Sequence, residues 1–237
     1  MIRIPKAMKG SEMKKYLILL TTAIAITMVS TAFSAPSEPH PGNAMWVEPS
    51  SIDLTGRPLG YRFNITVWIN FTAIDPGDYI GAWQFTIVYE KAYLNATRVG
   101  YTQGTISEWF KNAGVTTTYQ VPAVRASYNT THNYVQHAET WLEGSKASEG
   151  SYGSLSWIEF NITATPTDPF YGKFNFTTTG TIRSKLMNEN NIDVVGQFLL
   201  YEGIYLIPEF TPLVAIISIM IATCISTVLV TKIRKNK

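Results

Sequence analysis

Nine consecutive residues, Phe63 to Phe71, constrain the fold more than any other stretch of the chain. Phe63, Ile65, Val67, Ile69 and Phe71 alternate with Asn64, Thr66, Trp68 and Asn70. Side chains on an extended strand point to opposite faces in turn, so one face is apolar and the other polar. That pattern is a half-buried strand, and it needs a second apolar layer to pack against. Burying five such side chains contributes on the order of 10 kcal/mol before chain entropy is subtracted.

The same alternation recurs. Trp83, Phe85, Ile87 and Tyr89 share a face between Ile80 and Glu90, as do Ile158, Phe160 and Ile162 later on. Phe174 and Phe176 repeat the pattern within 172–178, and Met45–Glu48 reads as a short strand ended by Pro49. Asp75-Pro76-Gly77-Asp78 is turn chemistry. Residues 91–112 are less regular, with one helical turn expected over 106–111. Strands are expected over 114–125, toward a sheet edge because of Pro122, and over 134–142. The Ser/Gly-rich stretch 144–153 is expected as a loop, and 194–206 closes the domain. Strands spaced by turn signals without intervening helices predict an all-β fold, an antiparallel β-sandwich of seven to nine strands.

The two ends have a different character. Lys6, Lys9, Lys14 and Lys15 precede an apolar run from Tyr16 to Val29, the layout of a secretory signal ending near Ser34. Leu213 to Val230 is uncharged and is followed by Lys232, Arg234, Lys235 and Lys237, as expected of a transmembrane helix with a cytoplasmic basic end. Cys224 lies within that run and is expected to pack as a small apolar residue. The expected organisation is therefore signal peptide 1–34, linker 35–43, exterior β-domain 44–206 and C-terminal membrane segment 207–237. Residues 35–205 hold ten basic and fifteen acidic residues, against five and one in 1–34 and four and one in 206–237. A mildly acidic domain argues against nucleic-acid binding, which rests on clustered Lys and Arg.

An exterior domain makes the six Asn-x-Thr sequons meaningful: Asn64, Asn70, Asn95, Asn129, Asn161 and Asn175. Asn64, Asn70, Asn161 and Asn175 fall on outward faces by the alternation above, where a bulky glycan has room. Catalytic signals are lacking: no nucleophile elbow and no phosphate loop occurs. His132, His137 and Glu139 match no zinc spacing, and both histidines are expected to be exposed. Asp75, Asp78, Glu139 and Glu143 lack the spacing of a calcium loop. No metal, cofactor or catalytic residue is expected. Trp68 and Trp157 point outward by strand parity and are the candidate binding aromatics.

Several stretches together resemble the cohesin module family, in a divergent form of the kind found on archaeal surface proteins. They are Trp46-Val47-Glu48-Pro49, Tyr61 to Phe71, Ile80 to Glu90 and Leu94 to Gly100, then Gly150 to Phe160, Leu186-Met187-Asn188 and Tyr201-Glu202-Gly203. The resemblance spans roughly 44–206. It implies a jelly-roll sandwich, like that of cohesins and carbohydrate-binding modules, and a dockerin-like protein partner. Glu90 stands where the family has Asp, and 101–150, which includes partner-binding surface in the family, matches little. Pro208-Glu209-Phe210 before the apolar run is similar to the PEF-type C-terminal sorting signals of archaeal surface proteins, which a membrane transpeptidase processes. An ordinary membrane anchor fits the same residues. The expected function is a membrane-anchored extracellular binding module for a protein partner. The alternatives are a carbohydrate-binding or adhesion module, and a structural envelope glycoprotein.

Overall fold

A computed structural model describes residues 40–72, 79–102, 104–144, 146–148, 150–166 and 168–207. The expected signal peptide, the sorting motif Pro208, Glu209 and Phe210, the C-terminal membrane segment and the Asp75–Asp78 turn lie outside the described residues. Among the described residues no helix is long and apolar enough to cross a membrane.

Twelve strands form two sheets. They are β1 (Ala44–Glu48), β2 (Ser51–Asp53), β3 (Arg62–Phe71), β4 (Ile80–Glu90), β5 (Leu94–Gly100), β6 (Val115–Ser127), β7 (His132–Gly144), β8 (Ser151–Ile162), β9 (Phe170–Phe176), β10 (Lys185–Asn188), β11 (Leu199–Tyr201) and β12 (Gly203–Ile207). Among the described residues one α-helix, α1, spans Glu108–Asn112, and a single 3-10 turn spans Val195–Gln197. The five-stranded sheet has the order β11-β1-β3-β8-β5. The seven-stranded sheet runs β2-β12-β9-β4-β7-β6, with β10 also paired to β4. The expected β-sandwich is the observed architecture. Two of its pairings are parallel, β1 with β11 and β2 with β12, where an all-antiparallel arrangement was expected. Both ends of the domain cause this. The chain leaves the five-stranded sheet after β1 and joins the other sheet as β2, and β11 and β12 make the same change of sheet beside them. Gly203 stands at that second corner, where a Cβ would lie 2.7 Å from Val47.

The core lies between the sheets. Ile65, Val67, Ile69 and Phe71 of β3 are fully buried, as are Phe85 and Ile87 of β4 and Ile158 and Phe160 of β8. The organising strand thus packs as its alternation requires, between β1 and β8. The expected loop 144–153 is shorter than the sequence suggests, because Ser151–Gly153 already belong to β8. Gly153 is the reason that strand can begin there: a Cβ would stand 2.7 Å from the backbone of Trp109, so only glycine lets α1 press against β8. Helix α1 is capped by Ser107, whose side chain accepts from the Phe110 N–H.

Candidate binding faces

Strands β6 and β7 form a long hairpin at one edge of the seven-stranded sheet. Asn129 makes its turn: Oδ1 accepts from the Thr131 and His132 amides at 2.9 and 2.8 Å. The register pairs Tyr119 with Thr140, Val121 with Ala138, Val124 with Gln136 and Ala126 with Tyr134. These residues face outward, since the intervening Val135 belongs to the core and Trp141 packs against it. On the adjoining β4, Ala82, Gln84, Thr86 and Val88 share that outer face. None of these residues is charged. Tyr119, Val121, Val124 and Leu142 are 61%, 42%, 40% and 50% exposed. The result is an uncharged, partly apolar surface on β6 and β7; on β4 Thr86 and Val88 are themselves buried, and Lys185 of β10 borders the face opposite Gln84. Gln136 steadies it by donating to Thr86 Oγ1 at 3.0 Å.

Beneath this face the inward side of β7 is polar. Glu139 is fully buried and accepts from Trp83 Nε1 at 3.1 Å, from the Ser107 amide at 3.2 Å and from the Thr118 hydroxyl at 2.7 Å. Burial pushes its carboxyl above the ordinary range, and these donors pull it partly back. His137 Nδ1 lies 3.1 Å from Ser156 Oγ, which ties β7 to β8 across the core. The rings of Trp83, Phe85 and Tyr101 surround it at 5.5, 6.1 and 5.1 Å. Burial lowers His137 to about 4.

His137 was expected to be exposed, and this is corrected: it is 6% exposed. Odd-numbered residues of β7 point inward, and polar side chains at 137 and 139 masked the alternation. His132 lies elsewhere, at the hairpin turn, with Nε2 3.8 Å from Glu90. Glu143 is exposed and accepts from the Thr117 hydroxyl at 3.2 Å. No group of three or more His, Cys, Asp or Glu able to hold a metal occurs among the described residues.

The sequon asparagines are divided between the faces. Asn64, Asn70, Asn95 and Asn161 lie on the outer face of the five-stranded sheet, with Asn64 opposite Glu159 and Asn95 directly opposite Asn161. Asn64, Asn95 and Asn129 are exposed. Asn161 is half-buried, with an unpartnered Oδ1. Asn175, on β9 beside Val88, is half-buried and in its better amide orientation donates to Glu202 at 2.9 Å.

Trp68 and Trp157 are also on the outer face of the five-stranded sheet, both half-buried. Trp157 donates from Nε1 to the Tyr101 carbonyl at 2.9 Å and covers Gly100, where a Cβ would come within 2.8 Å of its ring. Trp68 instead stacks on Trp46 and Tyr152, at 6.3 and 5.2 Å. Sequence reasoning missed Trp46, Tyr152 and Tyr201 as members of this patch. The Tyr119–Val121–Val124 surface lies within 101–150, the region the sequence favours for ligand binding, but none of its residues is singled out there; its one visible signal is the absence of charge from 115 to 124.

No protein-family model and no curated protein matches the chain. Its structure is similar to solved cohesin modules. One belongs to a type I cohesin–dockerin complex from Clostridium thermocellum, with 12% identity and a TM-score of 0.44, covering 75% of this chain and 99% of that one. Another is a non-cellulosomal cohesin from the hyperthermophilic archaeon Archaeoglobus fulgidus, with 13% identity and a TM-score of 0.42, covering 72% and 94%. A third is a type I cohesin from Pseudobacteroides cellulosolvens, with 14% identity and a TM-score of 0.42, covering 72% and 96%.

Proposed function

We propose that this chain is a non-enzymatic binding module, exported and held at the cell surface by its C-terminal segment, that docks a folded protein partner on the outer face of β4, β7 and β6. The observation that carries this is the uncharged surface around Tyr119, Val121, Val124 and Leu142, each 40% exposed or more, on a domain with fifteen acidic residues between 35 and 205. Partner-binding surfaces are depleted of charge at their centre and enriched in aromatic side chains. Four of the six sequons stand on the opposite sheet, and the other two, Asn175 on β9 and Asn129 at the hairpin turn, stand at its borders. The sequence resemblance to cohesins makes a dockerin-like module the first candidate partner. Export rests on Tyr16–Val29, and anchoring or sorting on Pro208–Phe210 and the apolar run Leu213–Val230.

The test uses the full chain in detergent against the protein it retains from its own cell extract. Tyr119→Asp or Val121→Asp is expected to weaken that complex at least about tenfold, the scale of a lost interface anchor, with the thermal midpoint unchanged. Arg62→Asp, on the opposite sheet, is expected to leave it intact. Equal loss from both faces, or none from either, contradicts the proposal.

A further inference from the structure

The five-stranded sheet carries an apolar cluster on its solvent side, separate from the core. Trp46 points away from the core yet is 1% exposed. Trp68 and Tyr152 lie 6.3 and 6.2 Å from it with rings inclined by only 17° and 14°, and 5.2 Å from each other. His40 meets Trp46 edge-on at 5.1 Å and stacks on Tyr201 at 4.0 Å. Trp68 and Tyr152 are half-buried, each keeping part of its surface open to solvent.

Asn70 stands inside this patch. The register sets it directly opposite Tyr152 on β8 and opposite the short side chain of Ala44 on β1. Trp68 is two residues back on the same face of the same strand, about 7 Å away. Asn70 Nδ2 donates one hydrogen to the His40 carbonyl at 2.8 Å, and its second hydrogen is the one a glycosidic bond replaces. The exposed sequons have polar surroundings instead: Asn64 faces Glu159, Asn95 faces Asn161, and Asn129 closes a turn.

We propose that Asn70 carries an N-linked glycan whose first sugar is seated on the rings of Trp68 and Tyr152. This rests on the reading that the domain is exported. In the transfer, a C1–N bond forms between the sugar and Asn70 Nδ2. The C1–O bond to a lipid-linked phosphate donor breaks, Nδ2 loses a proton and the lipid phosphate leaves. The seated sugar lays its C–H face on rings that present an electron-rich face. Two half-buried rings hold a free sugar only weakly, but attachment at Asn70, two residues from Trp68 and across the strand from Tyr152, makes the contact intramolecular, at millimolar effective concentration or above. The cluster is thus a seat for the chain's own glycan.

The experiment compares the full chain isolated from its own membranes with the same chain made in a bacterial cytosol, where no oligosaccharide is transferred. Peptide mass spectrometry is expected to find sugar on Asn70. The glycosylated chain is expected to melt about 3 °C higher, the shift a modest local contact gives a domain of this size. Trp68→Ala is expected to abolish most of that difference, while Asn64→Gln in the native host leaves it intact. Sugar on Asn64 or Asn95 with Asn70 bare overturns the inference and leaves the export reading standing. A midpoint difference that survives Trp68→Ala overturns the seat itself.

Discussion

The two buried polar residues of β7 oppose each other in their response to pH. His137 has its pKa lowered by burial from 6.5 to about 4, so between those values the unfolded chain binds more protons than the folded one. Stability therefore falls as pH drops through that window, by up to about 3 kcal/mol. Glu139 has the reverse linkage. Its folded pKa is raised above 4.5, so its contribution is complete below that value and is lost as pH rises through the folded pKa. The two slopes offset each other in the wild type. His137→Gln is expected to make the change in melting temperature from pH 4.5 to 6.5 more negative than in the wild type, and Glu139→Gln to make it more positive. Calorimetry across that range decides it; parallel profiles for both variants would show that neither group titrates as its surroundings demand. These residues were the least legible in the sequence. A polar residue at an inward position looks the same as one on a solvated face until its donors are known, and Ser107, Trp83 and Ser156 come from distant parts of the chain.

At the level of elements, the strands with clean alternation were legible. Burial of the inner faces of β3, β4 and β8 needs only period two and apolar side chains. The edge position of β6 was legible from Pro122 alone. The short helix was placed to within two residues, 106–111 against Glu108–Asn112, but its role was not. Ser107 caps it, receives the Trp83 indole N–H at 3.3 Å and donates its own amide to Glu139. The cap thus ties α1 to β4 and β7 at once. Ser107→Ala is expected to cost about 1 kcal/mol, the typical N-cap value, since the Trp83 indole loses one of two acceptors and keeps Glu139. Ser107→Thr is expected to recover part of it. Chemical denaturation measures both, and a loss below a few tenths of a kcal/mol for the alanine variant would mean the cap and its tie are replaced by neighbours. The switch of β1–β2 and β11–β12 between sheets was not legible, since parallel pairing of chain ends depends on contacts across the whole domain.

For the whole molecule, the two outer faces differ in chemistry. The five-stranded sheet presents four sequon asparagines, an aromatic cluster and the Arg62–Glu159 ion pair at 3.3 Å. The seven-stranded sheet presents the uncharged surface of β4, β7 and β6. The seven-stranded sheet carries the two remaining sequons at the borders of that surface, Asn175 on β9 and Asn129 at the β6–β7 turn. Four of the sequons were assigned to outward positions from parity alone. The division between the sheets was not, because parity says which side of a strand is outward but not which sheet the strand joins. The most direct measurement of this account is site-specific photo-crosslinking from the full chain in cells of its own host, with the reactive group placed at Thr140 on β7 or at Thr66 on β3. The account predicts one discrete protein adduct from Thr140 and none from Thr66; an adduct from Thr66 alone, or from neither position, would contradict it.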